Sequence, residues 1–435
     1  MSNSGQALWK RARYVIPGGG MLLSKRTEMF HPELWPAYFS GAKGCRVWDL
    51  DGREYIDMSL MGVGTNSLGY GHPEVDVAVM AAVQAGNMSS LNCPEEVYLA
   101  ERLVGLHPWS DMVRFARSGG EANAVAIRIG RAASGRDKVA VCGYHGWHDW
   151  YLSANLADDK GLDGHLLPGL EPRGVPRDLI GSVLTFTYNR IDELETLVAQ
   201  HDIGVIKMEV SRNHRPNEGF LQRVREIATS KNIVLIFDEC TSGFRETFGG
   251  LHLKYGVNPD MAVFGKALGN GYAITAVIGR RAVMEAAQTT FISSTFWTER
   301  IGPAAALKTL DVMERCESWV VNTRKGERIG ERWTALAGKF RLPMEVSGLP
   351  SMIGFTIESH DWLKYKTLIT QEMLKAGFLA SNACYPSIQH QDSDIDAYFD
   401  ALEPVLALVR DCEDGRPVDE LLDGPPCHGG FRRLS

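Results

Sequence analysis

Hydrophobic positions along this chain follow two different periods. From about residue 73 to residue 306, short apolar runs alternate with stretches whose apolar residues recur every three to four positions. The runs Met112–Ala116, Val139–Cys142, Val183–Phe186, Val205–Met208, Ile233–Phe237, Met261–Phe264 and Ile274–Ile278 read as buried strands. Between them, Glu74–Gln84, Glu95–Leu106, Glu121–Ala133, Ile191–Gln200 and Leu221–Ser230 read as helices. Strands that alternate with helices predict an α/β fold: a mostly parallel seven-stranded sheet with helices on both faces. Such sheets bind ligands at the C-terminal ends of their strands. Leu156 to Asp178 is long, polar and rich in Gly and Pro, as in a lid or an interface element.

The flanks read differently. Leu8–Val15 has the spacing of a short amphipathic helix, broken at Pro17-Gly-Gly-Gly20. Gly44–Ile56 reads as a hairpin that turns at Asp51-Gly52, and Gly62–Ser67 as a flexible loop. Past residue 306 come helical stretches Leu307–Cys316 and Trp319–Ala337, a strand Met352–Ile357, and helices Trp362–Ala376 and Ile395–Val409. These predict a smaller α+β domain at 307–435, a large domain at 66–306, and an N-terminal segment, 1–65, that packs with the small domain. Gly424–Gly430 reads as a surface extension.

Composition narrows the function classes. A chain of 435 residues with 44% hydrophobic and 23% charged residues has the make-up of a soluble multidomain protein. A net charge of -7 argues against a broad nucleic-acid surface. The eight cysteines form no CxxC pair, which favours reduced thiols. No apolar run reaches membrane-spanning or signal-peptide length, so a cytoplasmic protein without membrane contact is expected.

The candidate chemistry lies just past the predicted strands. Lys266 ends the apolar run Met261–Phe264 and enters the glycine-rich turn Ala267-Leu-Gly-Asn-Gly271. It is either a lysine that snorkels from the core or a partly desolvated amine able to act as a nucleophile. Ser118-Gly-Gly-Glu121 opens a helix as a capping box, and its backbone N–H groups also suit a phosphate. In Gly143–Tyr151, four aromatic rings and two histidines follow one strand; they either pack an interface or supply a ring that stacks on a planar cofactor. His145, His148 and Asp149 lack a further ligand at a recognisable spacing, so no metal is expected. Asp238-Glu239 end a fully apolar strand, where a carboxylate either caps or pairs with a cationic ring nitrogen. Hydroxyl residues cluster in Phe291–Thr298. Gly62-Val-Gly-Thr-Asn-Ser67 approximates a dinucleotide fingerprint but ends in serine and opens no helix. A reactive lysine, a phosphate cradle, an aromatic lid and an acid for a ring nitrogen together describe pyridoxal 5'-phosphate.

The combination of Ser118-Gly-Gly-Glu-Ala122, Gly143-Tyr-His-Gly146, Phe237-Asp-Glu-Cys-Thr-Ser-Gly-Phe-Arg245 and Phe264-Gly-Lys-Ala-Leu-Gly-Asn-Gly271 resembles the class III aminotransferases of fold type I, and among them proteins like glutamate-1-semialdehyde 2,1-aminomutase. The resemblance runs from Pro17 to the C-terminal helix. It implies a Lys266 Schiff base, Asp238 on the pyridine nitrogen and Tyr144 stacked on the ring with His145 beside it. It also implies Ser118, Gly119 and Gly120 on the phosphate, and Thr295 reaching the phosphate of a neighbouring subunit in a homodimer with shared active sites.

The departures concern substrate. Where the aminomutases carry Ser and Arg after Pro-Gly-Gly, this chain has Leu22 and Lys25, with Ser24 and Arg26 out of register. Gly120 replaces the expected Thr, and no arginine occurs between Phe378 and Val409. A bidentate carboxylate clamp needs arginine geometry; Arg212, Arg215 and Arg245 remain as candidates for one. The expected reaction moves an amino group from a donor such as glutamate to a polar ketone or aldehyde, for instance a sugar or natural-product intermediate. Lys25, Arg26, Asn66, His145, His148 and Asn213 are the candidate substrate contacts. The alternatives are an aminomutase and a non-catalytic protein that binds the cofactor.

Overall fold

The computed structural model describes residues 3–157, 160–163, 169, 171–211 and 213–429. The chain divides into two units, one made of Met1–His72 with Val320–Ser435 and the other of Pro73–Trp319. The sequence pattern had set its boundaries at 65/66 and 306/307.

The first unit begins with the helix Ser4–Val15, followed by strands β1 (Phe39–Lys43), β2 (Arg46–Asp49) and β3 (Glu54–Met58). The expected hairpin is the antiparallel pair β2–β3. Residues 61–64 do not form the loose loop that the glycines imply. Met61, Gly62, Val63 and Gly64 have φ of 41°, 67°, 61° and 77°, a left-handed turn that places two non-glycine residues in a region costly for them.

The second unit holds β4 (Met112–Ala116), β5 (Lys138–Cys142), β6 (Val183–Thr185), β7 (Ile203–Glu209), β8 (Val234–Glu239), β9 (Met261–Phe264) and β10 (Thr275–Gly279). They form one seven-stranded sheet in the order β4-β10-β9-β8-β7-β5-β6. Only β10 runs against its neighbours β4 and β9; the pairs from β9 across to β6 are parallel. The C-terminal ends of β4, β5, β7, β8 and β9 therefore share one edge. The helix Gly119–Ser134 crosses a face of this sheet, and its Ala122, Ala126 and Ile129 join Val139, Val141, Val205, Ile236 and Val263 in a closed core. The helix expected from Leu307 starts earlier, as Ile301–Cys316, and lies in this unit.

The first unit resumes within the helix Ser318–Phe340, followed by β11 (Met344–Leu349), β12 (Met352–Ile357), β13 (Phe378–Ala380) and β14 (Ala383–Cys384). β13 adds in parallel to β3, completing the sheet β1-β2-β3-β13, while β11, β12 and β14 form a separate antiparallel sheet. Helices Trp362–Lys375 and Asp392–Glu413 cover a core of Met58, Trp333, Phe355, Phe378, Tyr398 and Leu402. Trp333 Nε1 donates to the Tyr398 hydroxyl at 3.1 Å, so neither buried polar atom is orphaned.

Candidate active site

At the sheet edge, Ser118 caps the helix Gly119–Ser134. Its hydroxyl accepts from Glu121 N and its backbone N–H donates to Glu121 Oε2 at 2.8 Å. The capping box leaves the backbone N–H groups of Gly119 and Gly120 facing outward, and Ser118 itself is exposed. His148 lies directly over this helix end. A Cβ on Gly120 would come within 2.8 Å of its ring. His148 Nδ1 is buried and has no hydrogen-bond partner among the described residues. Burial lowers the pKa of this ring from its ordinary value, against the nearby carboxylates of Glu121 and Asp149.

Asp238, on β8, is buried within a polar cluster. Its Oδ2 lies 2.8 Å from His145 Nδ1 and 3.6 Å from the Lys207 ammonium, and Cys240 N donates to Oδ1 at 3.1 Å. Burial alone would raise this carboxyl's pKa. The Lys207 charge and the His145 hydrogen bond outweigh burial and hold it well below the usual carboxylate range. The next residue points the opposite way, as strand alternation requires. Glu239 Oε1 lies 2.8 Å from His252 Nδ1, accepts from His252 N at 2.9 Å, and its other oxygen accepts from Ser242 Oγ. The two carboxylates that end this strand therefore belong to separate networks.

Lys266 follows β9, whose Val263 pairs in register with Asp238. The lysine adopts φ of 45°, an unfavourable left-handed conformation for a side-chain-bearing residue, and its Nζ donates to Thr241 Oγ1 at 2.9 Å. Cys240 stands between these parts: its Sγ would lie 3.6 Å from a Cβ on Gly119 and 3.5 Å from one on Gly265. The helix end, the strand carrying Asp238 and the turn carrying Lys266 thus meet around one thiol.

Tyr144 follows Gly143, whose φ is 105°. A Cβ on Gly143 would sit 2.6 Å from Glu209 Oε2, the atom that accepts from Tyr144 N at 3.0 Å. The glycine is needed for Glu209 to approach and fix the Tyr144 backbone. The Tyr144 ring meets Tyr151 edge-on at 6.1 Å and packs against the core under the sheet edge.

His145 departs from what the sequence implied for it. Its side chain is fully enclosed, with one ring nitrogen at Asp238 and the other 3.2 Å from the Cys142 carbonyl oxygen, so it has no nitrogen left for a substrate hydroxyl. Thr295 begins an exposed turn, Thr295–Thr298. Arg117 clasps that segment: its guanidinium pairs with Glu299 at 2.8 Å and donates to the Trp297 and Glu299 carbonyl oxygens at 2.9 and 2.8 Å. Asn213 is exposed in the turn after β7, and Arg212 lies outside the described residues. Arg215 is held by Glu246 at 3.2 and 3.0 Å, and Arg245 is buried with its Nε donating to the Thr241 carbonyl oxygen at 3.2 Å. Lys25, Arg26 and Asn66 belong to the other unit. There Lys25 is exposed, Arg26 packs over Gly18, and Asn66 Nδ2 donates to Thr65 Oγ1 at 2.8 Å.

The family description "Aminotransferase class-III" matches residues 31–406 of this chain. The chain belongs to the class III aminotransferases. A 3-aminobutyryl-CoA aminotransferase from Cloacimonas acidaminovorans is 32% identical over 422 residues, covering 93% of this chain and 97% of the relative. A glutamate-1-semialdehyde 2,1-aminomutase from Nitratidesulfovibrio vulgaris is 31% identical over 432 residues, covering 93% of this chain and all of the relative. Among solved structures, a transaminase with PLP bound superposes with a TM-score of 0.82 at 26% identity, covering 96% of this chain and all of the other.

Within this class III aminotransferase, sequence reasoning missed Lys207, Glu209, Cys240 and Thr241. Lys207 had a visible signal: it is a charged residue inside the apolar run Val205–Met208. Cys240 and Thr241 lay inside the Phe237–Arg245 motif without a role assigned to them, and Glu209 had no signal, because only the fold brings these residues beside Gly119, Lys266 and Tyr144.

Proposed function

We propose that this class III aminotransferase uses pyridoxal 5'-phosphate to move an amino group from an amino-acid donor such as glutamate to a polar ketone or aldehyde whose carbonyl carbon bears no carboxylate. The meeting of Lys266, Asp238 and a helix N-terminus faced by His148 around Cys240 carries this reading. The residues fit the group. The Gly119 and Gly120 N–H groups and the unpartnered His148 Nδ1 suit a phosphate dianion. Asp238 Oδ1 accepts from Cys240 N, while His145 and Lys207 lie on Oδ2, so Oδ1 can also receive a ring N–H. When bound, pyridoxal phosphate supplies an aldehyde that captures amines and a ring that withdraws electrons.

The protein's part follows from its own atoms. Lys266 Nζ is the amine that would hold the cofactor's aldehyde and, when free, would serve as the base that moves a proton. Thr241 Oγ1, its hydrogen-bond partner, orients that amine. Asp238, held in the ionised form by Lys207 and His145, would pair with the ring nitrogen. Tyr144, whose backbone N–H is fixed by Glu209, would cover a ring face. His148 serves the phosphate end, a reassignment from the substrate contact that its place in the sequence implied. Thr295 completes the phosphate site of a second copy in a homodimer, and the enzyme works in the cytoplasm. Lys25, Arg26, Asn66 and Asn213 remain candidate substrate contacts.

The acceptor class rests on two observations. Arg215 and Arg245, the described arginines proposed as a carboxylate clamp, are engaged within the protein. The relative named for 3-aminobutyryl-CoA acts on an amine that is not adjacent to a carboxylate. A hydroxylated aldehyde or ketone, such as a sugar, meets the same requirement.

The test is to load the protein with pyridoxal phosphate, add L-glutamate or another amino acid without acceptor, and analyse the released cofactor by chromatography. Stoichiometric pyridoxamine phosphate is expected, with turnover when a carboxylate-free carbonyl acceptor is supplied. Turnover of a single substrate without acceptor would instead make the protein an aminomutase. A protein that binds no pyridoxal phosphate would refute the proposal.

A further inference from the structure

Lys207 lies at the middle of β7, in register with Val141 of β5 and Ile236 of β8, on the sheet face covered by the helix Gly119–Ser134. Its side chain is fully enclosed. Its Nζ makes no hydrogen bond among the described residues, and its ion partner is Asp238 Oδ2 at 3.6 Å. The charged and titratable groups facing it are Asp238 and Cys240 from β8 and the turn beyond, and Glu209 from its own strand, with His145 across the carboxylate. A buried ammonium is costly, and an apolar side chain would fill this face more stably. Its position beside one carboxylate oxygen, with the other oxygen left for a ligand, calls for a functional reason.

Resting on the reading of Asp238 as the partner of the cofactor's ring nitrogen, we infer that Lys207 is a positioning residue that draws part of the Asp238 charge away from that nitrogen and makes it release its proton more readily. A carboxylate shared among several cations is a weaker base towards each of them. Asp238 is shared between the Lys207 ammonium and the His145 ring before any ligand arrives. The pull of Asp238 on a ring proton is therefore weakened, and with it the ring's capacity to withdraw electrons from the reacting carbon.

The experiment compares the unmodified protein with Lys207→Met and Lys207→Gln. Dissociation constants are measured for pyridoxal phosphate and for its analogue with a C–H in place of the ring nitrogen. The ratio of the two constants isolates the interaction at the nitrogen. Removing the ammonium should raise the preference for pyridoxal phosphate about tenfold, one pH unit of proton affinity. A ratio that is unchanged or lower in the variants overturns the inference, whatever happens to stability. A second measurement needs no variant: the 15N shift of ring-labelled cofactor in the unmodified protein. A ring nitrogen that loses its proton between about pH 5 and 8, where folded proteins are generally most stable, supports the inference; one that stays protonated throughout overturns it. If the protein binds neither compound, the parent reading and this one fall together. If it binds both but fails the ratio and the titration, only this inference fails.

Discussion

Asp238→Asn isolates the buried ion pair without reference to turnover. The substitution keeps the shape of the side chain and removes its charge, leaving the Lys207 ammonium without the partner it has at 3.6 Å. Two routes are then open to the lysine. If it stays charged, it forfeits an attraction of about 5 kcal/mol at that separation and an effective dielectric constant of about 20. If it releases its proton at pH 7, the cost is about 5 kcal/mol, from an ordinary lysine pKa of about 10.4 and about 1.4 kcal/mol per unit. The amide oxygen recovers part of either loss, so the expected destabilisation is about 3–5 kcal/mol.

Burial already depresses the pKa of Lys207, with Asp238 opposing it, and the variant loses that opposition. In the variant the folded lysine binds its proton less well than the unfolded one. Stability should therefore rise with pH, by up to about 1.4 kcal/mol per unit, until the lysine's unfolded pKa is reached. The assay is urea unfolding of cofactor-free protein, followed by circular dichroism at about pH 7 and pH 9. Asp238→Asn combined with Lys207→Met should be more stable than Asp238→Asn alone, because the double change removes the stranded ion. A loss under about 1 kcal/mol at pH 7, or a double variant no more stable than the single, would refute the reasoning.

Gly143→Ala should cost about 2–4 kcal/mol, since the methyl group meets Glu209 Oε2 at 2.6 Å on a backbone with φ of 105°; an unchanged urea midpoint would contradict this. Lys266→Ala should lower turnover by at least about a thousandfold and abolish borohydride-fixed cofactor in the protein's mass spectrum, and full turnover in this variant would sink the assignment of Lys266. Burial would raise the Glu239 carboxyl's pKa, but His252 and Ser242 outweigh it and lower the value. Glu239 therefore contributes stability that is present above its unfolded pKa and lost as pH falls through its folded value. Glu239→Gln should cost about 1–3 kcal/mol at pH 7 and lose less on acidification below about pH 4. An acid unfolding profile parallel to that of the unmodified protein would exclude Glu239 as a source of that loss.

The repeating strand and helix periods were legible because a mostly parallel sheet demands largely apolar strands, and the seven strands of this sheet are largely apolar. The short strands β1, β13 and β14 were not legible: β1 is largely exposed, and the three residues of β13 and two of β14 are too few to show a period. Lys266, Asp238 and Ser118-Gly-Gly120 could be picked out because each follows or ends an apolar run, where topology places ligands.

Sequence by itself determined the sheet, its helices and the residues at the ligand-binding edge, since hydrophobic period and strand-end chemistry are local properties. What each of those residues faces was decided only by tertiary structure. Parallel register set Lys207 of β7 diagonally behind Asp238 of β8, and strand alternation sent Glu239 to a different network. The loop after β5 carried His145 inward to the carboxylate and left His148 over the helix end. Those partners come from strands and loops far apart in the chain, and the fold's register alone brings their charges within ångströms of one another.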